Sequence, residues 1–206
     1  NNHEKIHYKK NGLIYISHYR PNRKLFEGES RLLRIIKKFC IRKRLNLKIL
    51  GKHKNKDHQY NEKEWFKSIL KTNFRFIGNS KKRKTYEILG KSMIVVSSGS
   101  TMGLESLGRK NKTAIIQAKP NTYRKKFWGY YTKRKKYGFF WSIDVNEKKV
   151  FKILNNLNSI SKQKWDNKLN NYIYETCKYD YKNYKLKNKI VKICYQNKFN
   201  VKPYLI

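Results

Sequence analysis

The chain has 206 residues, of which 38% are hydrophobic and 15% aromatic. That is enough to bury one sizeable core, which excludes both a disulfide-stapled miniature domain and a wholly disordered chain. It carries 51 Lys and Arg against 13 Asp and Glu, a formal net charge of +38, so a large partner surface is expected to be anionic.

The first two-thirds alternate short apolar runs with helical periodicity. Leu13 to Ser17 is predicted as a buried strand ending near the turn formers Pro21 and Asn22. From Ser30 to Leu45 the residues Leu32, Leu33, Ile35, Ile36, Phe39 and Cys40 recur at helical spacing among Arg and Lys, giving a basic amphipathic helix. Leu47 to Leu50 is the second strand, Glu62 to Lys71 a helix, Phe74 to Ile77 the third strand, and Lys84 to Leu89 a helix. Met93 to Ser97 is the most apolar strand, Thr101 to Arg109 a helix, and Thr113 to Gln117 a strand. This alternation predicts an α/β fold, a Rossmann-like parallel sheet with helices on both faces. A basic and aromatic loop, 123 to 136, then leads to Phe139-Phe-Trp141, and Val150, Phe151, Ile153, Leu154 and Leu157 describe a helix capped by Asn146 or Asp144. Trp165 to Lys198 reads as further helix with a weak apolar pattern. The division is residues 1–160 as the Rossmann-like domain and 161–206 as a helical C-terminal extension.

No apolar run approaches the roughly 18–20 residues of a membrane-spanning helix, and the N-terminus has no signal-peptide core. The expected location is the cytoplasm, with peripheral attachment at the inner face of the membrane. Cys40, Cys177 and Cys194 fit neither a disulfide framework nor a paired zinc knuckle and read as reduced thiols. The excess of Lys and Asn, with alanine only at Ala114 and Ala118, is the skew of an A- and T-rich genome, so part of the charge reflects codon composition. The chain starts at Asn1 rather than Met, which suggests a segment of something longer.

The sharpest motif is Val96-Ser-Ser-Gly-Ser-Thr-Met-Gly-Leu-Glu-Ser-Leu-Gly108, a strand ending in a Ser/Gly/Thr turn that opens a helix. Such a turn aims backbone N–H groups, the positive end of a helix dipole and the hydroxyls of Ser98, Ser100 and Thr101 at one point, which suits a phosphate. Glu105 lies four residues after Thr101, about 5.4 Å deeper on the same helix face, a place suited to ribose hydroxyls. Gly99 and Gly103 would let a ligand approach the backbone. The same residues also suit a plain cap at Ser98 or Ser100, with Glu105 paired to Arg109. His18 and Arg20 after the first strand, and Lys52 and His53 after the second, fall at the same edge of a parallel sheet, where bases and a dipole suit a diphosphate. There is no Asp-x-Asp pair, no His/Cys cluster at ligand spacing and no nucleophile elbow, so neither a metal nor a cofactor is expected and no general base stands out.

Taken together, Leu13-Ile-Tyr-Ile-Ser-His-Tyr-Arg20, Lys48-Ile-Leu-Gly-Lys-His53, Tyr86, the segment Ile94 to Thr113 and Phe139-Phe-Trp141 resemble the C-terminal half of bacterial surface-carbohydrate biosynthesis proteins, which are similar to GT-B glycosyltransferases. The resemblance covers about residues 13–165 and is most specific in Ser-Thr-x-Gly-x-Glu-Ser-Leu. It implies a donor half that holds a sugar nucleotide without metal. Ser98, Ser100 and Thr101 then take phosphate oxygens, Glu105 takes ribose, and Lys52 with His53 neutralises the diphosphate. A more distant likeness is to the polysialyltransferase and CDP-glycerol transferase group, in which a His-Pro pair grips cytidine; here Lys54 stands where that proline would be. The donor base therefore stays open among UDP, CMP and CDP. In many inverting GT-B enzymes the general base comes from the N-terminal half, which matches its absence from these residues. The implied acceptor is a glycan or lipid-linked molecule, with an anionic membrane surface as a further partner. The alternative is a basic nucleic-acid-binding protein in which residues 123–141 stack bases, although no RRM, KH or helix-turn-helix signature is present.

Overall fold

The computed structural model describes residues 11–19, 27–79, 82–118, 137–176 and 184–196. Its strands are β1 (Leu13–Ile16), β2 (Leu47–Leu50), β3 (Arg75–Ile77), β4 (Ile94–Ser97), β5 (Thr113–Ile116) and β6 (Trp141–Ser142). They form one sheet in the order β3-β2-β1-β4-β5-β6, with every neighbouring pair parallel. The helices are α1 (Glu27–Arg42), α2 (Lys56–Leu70), α3 (Lys82–Gly90), α4 (Thr101–Gly108), α5 (Glu147–Ser159), α6 (Lys162–Thr176) and α7 (Tyr184–Gln196). This is the predicted Rossmann-like α/β sheet.

Register explains the layering. Leu13 pairs with Leu47 and Ile94, and Tyr15 with Ile49 and Val96, so these side chains share one face. There they meet Leu32, Leu33, Ile36 and Phe39 of α1, Phe66 and Leu70 of α2, and Val150, Ile153 and Leu154 of α5 in one buried cluster. The alternate residues Ile14, Ile16, Leu50 and Val95 pack with Leu89 of α3 on the other face, against Tyr86 and Met102. Central strands buried on both faces read as continuous apolar runs, as β1 and β4 do.

Two boundaries differ from the periodicity, and the structure decides between two candidate caps. Helix α1 begins at Glu27 rather than Ser30, and its first-turn Glu29 is buried. Helix α2 begins at Lys56 rather than Glu62, because Asn55 Oδ1 accepts from Asp57 N at 2.8 Å and His58 N at 3.3 Å and starts the helix in a polar turn with no apolar signal. Of the two candidate caps of α5, Asn146 is the one used, accepting from Lys149 N at 3.1 Å, while Asp144 takes the Lys149 ammonium at 3.0 Å.

Helix α6 lies within the segment predicted as a C-terminal extension, yet it packs on the sheet. Trp165 is fully buried, its ring 5.6 Å from Phe140, and its indole N–H donates to Lys110 O at 3.0 Å. Tyr172 adds an edge contact to Trp141 at 5.1 Å, closing the core around the β6 end of the sheet. Cys40 is a buried free thiol that burial pushes up to about 12. Arg20, the basic loop 123–136 and Cys177 lie outside the described residues.

Candidate functional site

Strands β1 and β4 are neighbours, but the chain leaves them in opposite directions, to α1 over one face and to α4 over the other. Their carboxyl ends therefore flank a topological switch point, the place where open α/β sheets bind ligands. The described members of the predicted set gather along this edge. Ser17, His18 and Tyr19 follow β1, Gly51, Lys52 and His53 follow β2, and Ser98, Gly99 and Ser100 follow β4.

The β4–α4 turn is held from below. Ser97 Oγ accepts from Gly99 N at 3.4 Å and Ser100 N at 3.2 Å, and Ser100 Oγ caps α4 by accepting from Met102 N at 3.3 Å. Gly99 has φ 137°, a conformation that side-chain-bearing residues rarely adopt, so the bend requires glycine. Gly103 has a different role from ligand approach: a Cβ there would lie 2.5 Å from both Cβ and Oγ of Ser97, so this glycine seats α4 on β4. Thr101 is exposed at the helix mouth and Ser100 is half-buried.

Ser98 points into the protein. It is 3% exposed, and its Oγ lies 3.0 Å from the Tyr15 hydroxyl, whose own proton is donated to the buried Glu29 carboxylate. Tyr15 has one proton to give, so Ser98 is the donor to Tyr15. Burial, then the Glu29 charge, raises Tyr15 well above the usual phenol range. This triad ties β1, the first turn of α1 and the β4 turn together beneath the switch point.

Glu105 is half-buried on α4 and accepts a hydrogen bond from the Tyr86 hydroxyl of α3. That bond to Glu105, reinforced by desolvation, pushes Tyr86 up to about 12. The Arg109 guanidinium lies over the Tyr86 ring, 4.2 Å from its centroid, so the i+4 residue meets the aromatic face.

The β2–α2 loop is clamped by a carboxylate that sequence spacing does not single out. Glu62, fully buried, accepts from Lys52 N at 3.0 and 3.1 Å through its two oxygens, and from His53 N at 3.4 Å. Asn79 Nδ2 donates to Lys52 O at 2.7 Å, and Lys52 Nζ reaches Tyr19 O at 3.4 Å. His53 lies edge-on to Tyr19 at 6.0 Å and to His58 at 5.2 Å, and its Nε2 is buried without a hydrogen-bond partner. Sequence reasoning missed Tyr15, Glu29, Glu62 and Asn79. It noted Tyr86 only as part of a resemblance, and nothing in the linear spacing marks a partner nine or more residues away.

The sheet order and the helix-capped turn after β4 define a Rossmann-like module. Comparison with known proteins agrees. The chain belongs to the family described as "putative O-antigen biosynthesis protein", whose model matches residues 1–193, and so to surface-carbohydrate biosynthesis. No curated protein matches the chain. Among solved structures it is similar to a "putative UDP-N-acetylglucosamine 2-epimerase" from Listeria monocytogenes, at 16% identity and TM-score 0.51, covering 78% of this chain and 40% of that one. It is also similar to UDP-GlcNAc 2-epimerase from Neisseria meningitidis bound to UDP-GlcNAc, at 12% identity and TM-score 0.50, covering 79% and 39%. A third is TarM, at 16% identity and TM-score 0.52, covering 83% and 33%. These likenesses concern the fold. The chain spans 40% or less of the length of each of these structures.

Proposed function

We propose that this chain is the donor-binding half of a GT-B-type enzyme that transfers a sugar from a sugar nucleotide in surface polysaccharide or lipopolysaccharide biosynthesis. The observation that carries the reading is the turn after β4. Three serines and Gly99 shape a capped helix start beside the β1/β4 switch point, with a carboxylate one turn below it. The diphosphate sits at the start of α4, against Ser100, Thr101 and the backbone of the Gly99 bend, where the helix dipole favours negative charge. Ser98 supports this turn through Tyr15 and makes no phosphate contact of its own. Glu105, held on one oxygen by Tyr86, accepts from ribose hydroxyls with the other.

Lys52, His53 and His18 supply the countercharge to the departing diphosphate, the contribution made elsewhere by a divalent ion. The second half of the cleft, with the general base and the glycan or lipid-linked acceptor, comes from residues other than these. UDP is the first base to test, because one structural neighbour was solved with UDP-GlcNAc.

A thermal-shift series with UDP, CDP, CMP and GDP, beside a short RNA at two salt concentrations, tests the reading. Saturable stabilisation by one nucleotide, lost in Glu105→Ala with the fold retained, is the expected result. Equal nucleotide affinity for wild type and Glu105→Ala in a calorimetric titration removes Glu105 from the site. Stabilisation by RNA alone, abolished by salt, favours the nucleic-acid reading.

A further inference from the structure

The opposite edge of the sheet carries a second feature, which the donor site does not use. A pocket of about 680 Å³ opens between the last turns of α1 and the amino ends of β2 and β3. Lys37, Arg44, Lys48 and Arg75 contribute to its wall, and no carboxylate does. Lys37 is tied to Leu70 O at 2.6 Å, while Arg44 and Arg75 are exposed and Lys48 is half-buried. Ile41, another wall residue, is 62% exposed and followed in sequence by Arg42, Lys43 and Arg44.

A basic edge by itself is unremarkable in a chain of this charge, and cations are favoured at helix C-termini anyway. The backbone adds an independent observation. The non-glycine residues with positive φ among the described residues are Arg44 (51°), Lys71 (46°) and Lys110 (60°), each in a loop that returns from a helix to a strand at this same edge. Glycine or asparagine ordinarily takes that left-handed position. The chain is rich in asparagine, yet in all three loops a long cation occupies it against the backbone preference. Favourable dipole placement does not require the left-handed position, because the preceding helical turn offers it without strain.

We propose that this edge docks on an anionic phospholipid surface, with a headgroup phosphate in the pocket among Arg44, Lys48 and Arg75 and Ile41 entering the interface. Lipid is favoured over nucleic acid because an exposed aliphatic side chain stands among the cations, and no exposed aromatic stacking platform lines the pocket. Docking in this sense leaves the carboxyl edge facing away from the bilayer. Only that corollary rests on the donor-site reading.

Vesicle co-sedimentation of the full chain tests the idea, using phosphatidylcholine alone and phosphatidylcholine with phosphatidylglycerol. Arg44→Asn/Lys48→Gln/Arg75→Gln removes three charges; a matched control, Lys63→Asn/Lys148→Asn/Lys164→Asn, removes three exposed charges elsewhere. The pocket variant should lose on the order of a hundredfold in binding to the anionic vesicles, as three cations near a charged surface predict, while the control stays near wild type. Ile41→Ser should weaken binding further at raised salt. Unchanged circular dichroism and melting temperature establish that each variant folds. Equal losses in pocket and control variants overturn the proposal in favour of diffuse charge. Full competition by millimolar glycerol phosphate assigns the pocket to a soluble phosphate and overturns docking, as does binding of a short RNA with no binding to vesicles.

Discussion

Gly103→Ala separates a structural glycine from a ligand-facing one. The new Cβ would sit 2.5 Å from Ser97 Cβ and Oγ and 3.2 Å from Ile115 Cδ1, whereas ordinary contact begins near 3.4 Å, so α4 must lift about 1 Å off β4 or Ser97 must turn. Either movement disturbs the bonds from Ser97 Oγ to Gly99 N and Ser100 N. Overpacking of this kind costs about 1–3 kcal/mol, and weakening those bonds adds about 1 kcal/mol. Alanine returns about 1 kcal/mol through helix propensity. The net is a loss of about 1–3 kcal/mol, a fall in Tm of about 3–10 °C for a domain of this size. On the proposed donor-site reading, nucleotide affinity should fall with it, because the turn after β4 rides on the same contact. Adding Ser97→Gly removes the atoms in conflict, so the double variant should be more stable than the sum of the two singles by about 1 kcal/mol or more. A Gly103→Ala protein as stable as wild type, with unchanged UDP binding, would refute the seating of α4 on β4.

Other outcomes follow from single contacts. Cys40 and Tyr86 are both held protonated, from ordinary values of 9.0 and 10.0 up to about 12. The unfolded chain releases these protons first, so stability present below pH 9 should decline between about pH 9 and pH 12, less steeply in Cys40→Ala and in Tyr86→Phe. A Tm independent of pH across that window contradicts both placements. Asn55→Ala removes the α2 cap and should lower stability by about 1 kcal/mol in urea unfolding; no change means that the helix frays to Glu62 without consequence. Glu62→Ala leaves the Lys52 and His53 amides without their acceptor and should speed their hydrogen exchange selectively, with exchange in β1 unchanged.

The fold was legible because both of its periodicities are strong. β1 and β4 are continuous apolar runs, α1 carries a clear stripe, and their alternation leaves a parallel sheet as the economical arrangement. The polar start of α2 was not legible: Lys56 to Tyr60 has no apolar spacing, and only the cap at Asn55 sets its boundary. At the candidate site, the Ser/Gly/Thr turn was visible as a motif, but the direction of each hydroxyl was not. Ser98 and Ser100 look equivalent in sequence. They diverge because strand alternation turns Ser98 onto the face of Tyr15, whereas Ser100 is the first residue free to cap α4. Gly103 looked like a second ligand-facing glycine because spacing cannot show that the helix face bearing it rests on Ser97. Family likeness supplied the chemical class, since local spacing left helix cap and phosphate cradle equally open.

On the proposed reading, the few carboxylates frame an anion site in a chain of high positive charge. A free acid beside the switch point would repel a diphosphate, yet three of the 13 acids lie close to it in the fold. Each is engaged by donors of its own. Glu29 takes the Tyr15 hydroxyl, Glu62 takes the amides of Lys52 and His53, and Glu105 takes the Tyr86 hydroxyl. These hydroxyl and amide donors fix each carboxylate in place beside the edge where the proposed phosphate site lies. The arrangement also braces the loops: each carboxylate joins two different elements, so the loop positions are set before any ligand arrives. A ligand that finds its donors already placed loses less ordering entropy on binding. Replacing any one of the three acids by an apolar residue would therefore not sharpen the attraction for phosphate, as charge counting alone suggests; it would loosen the groups that make the attraction.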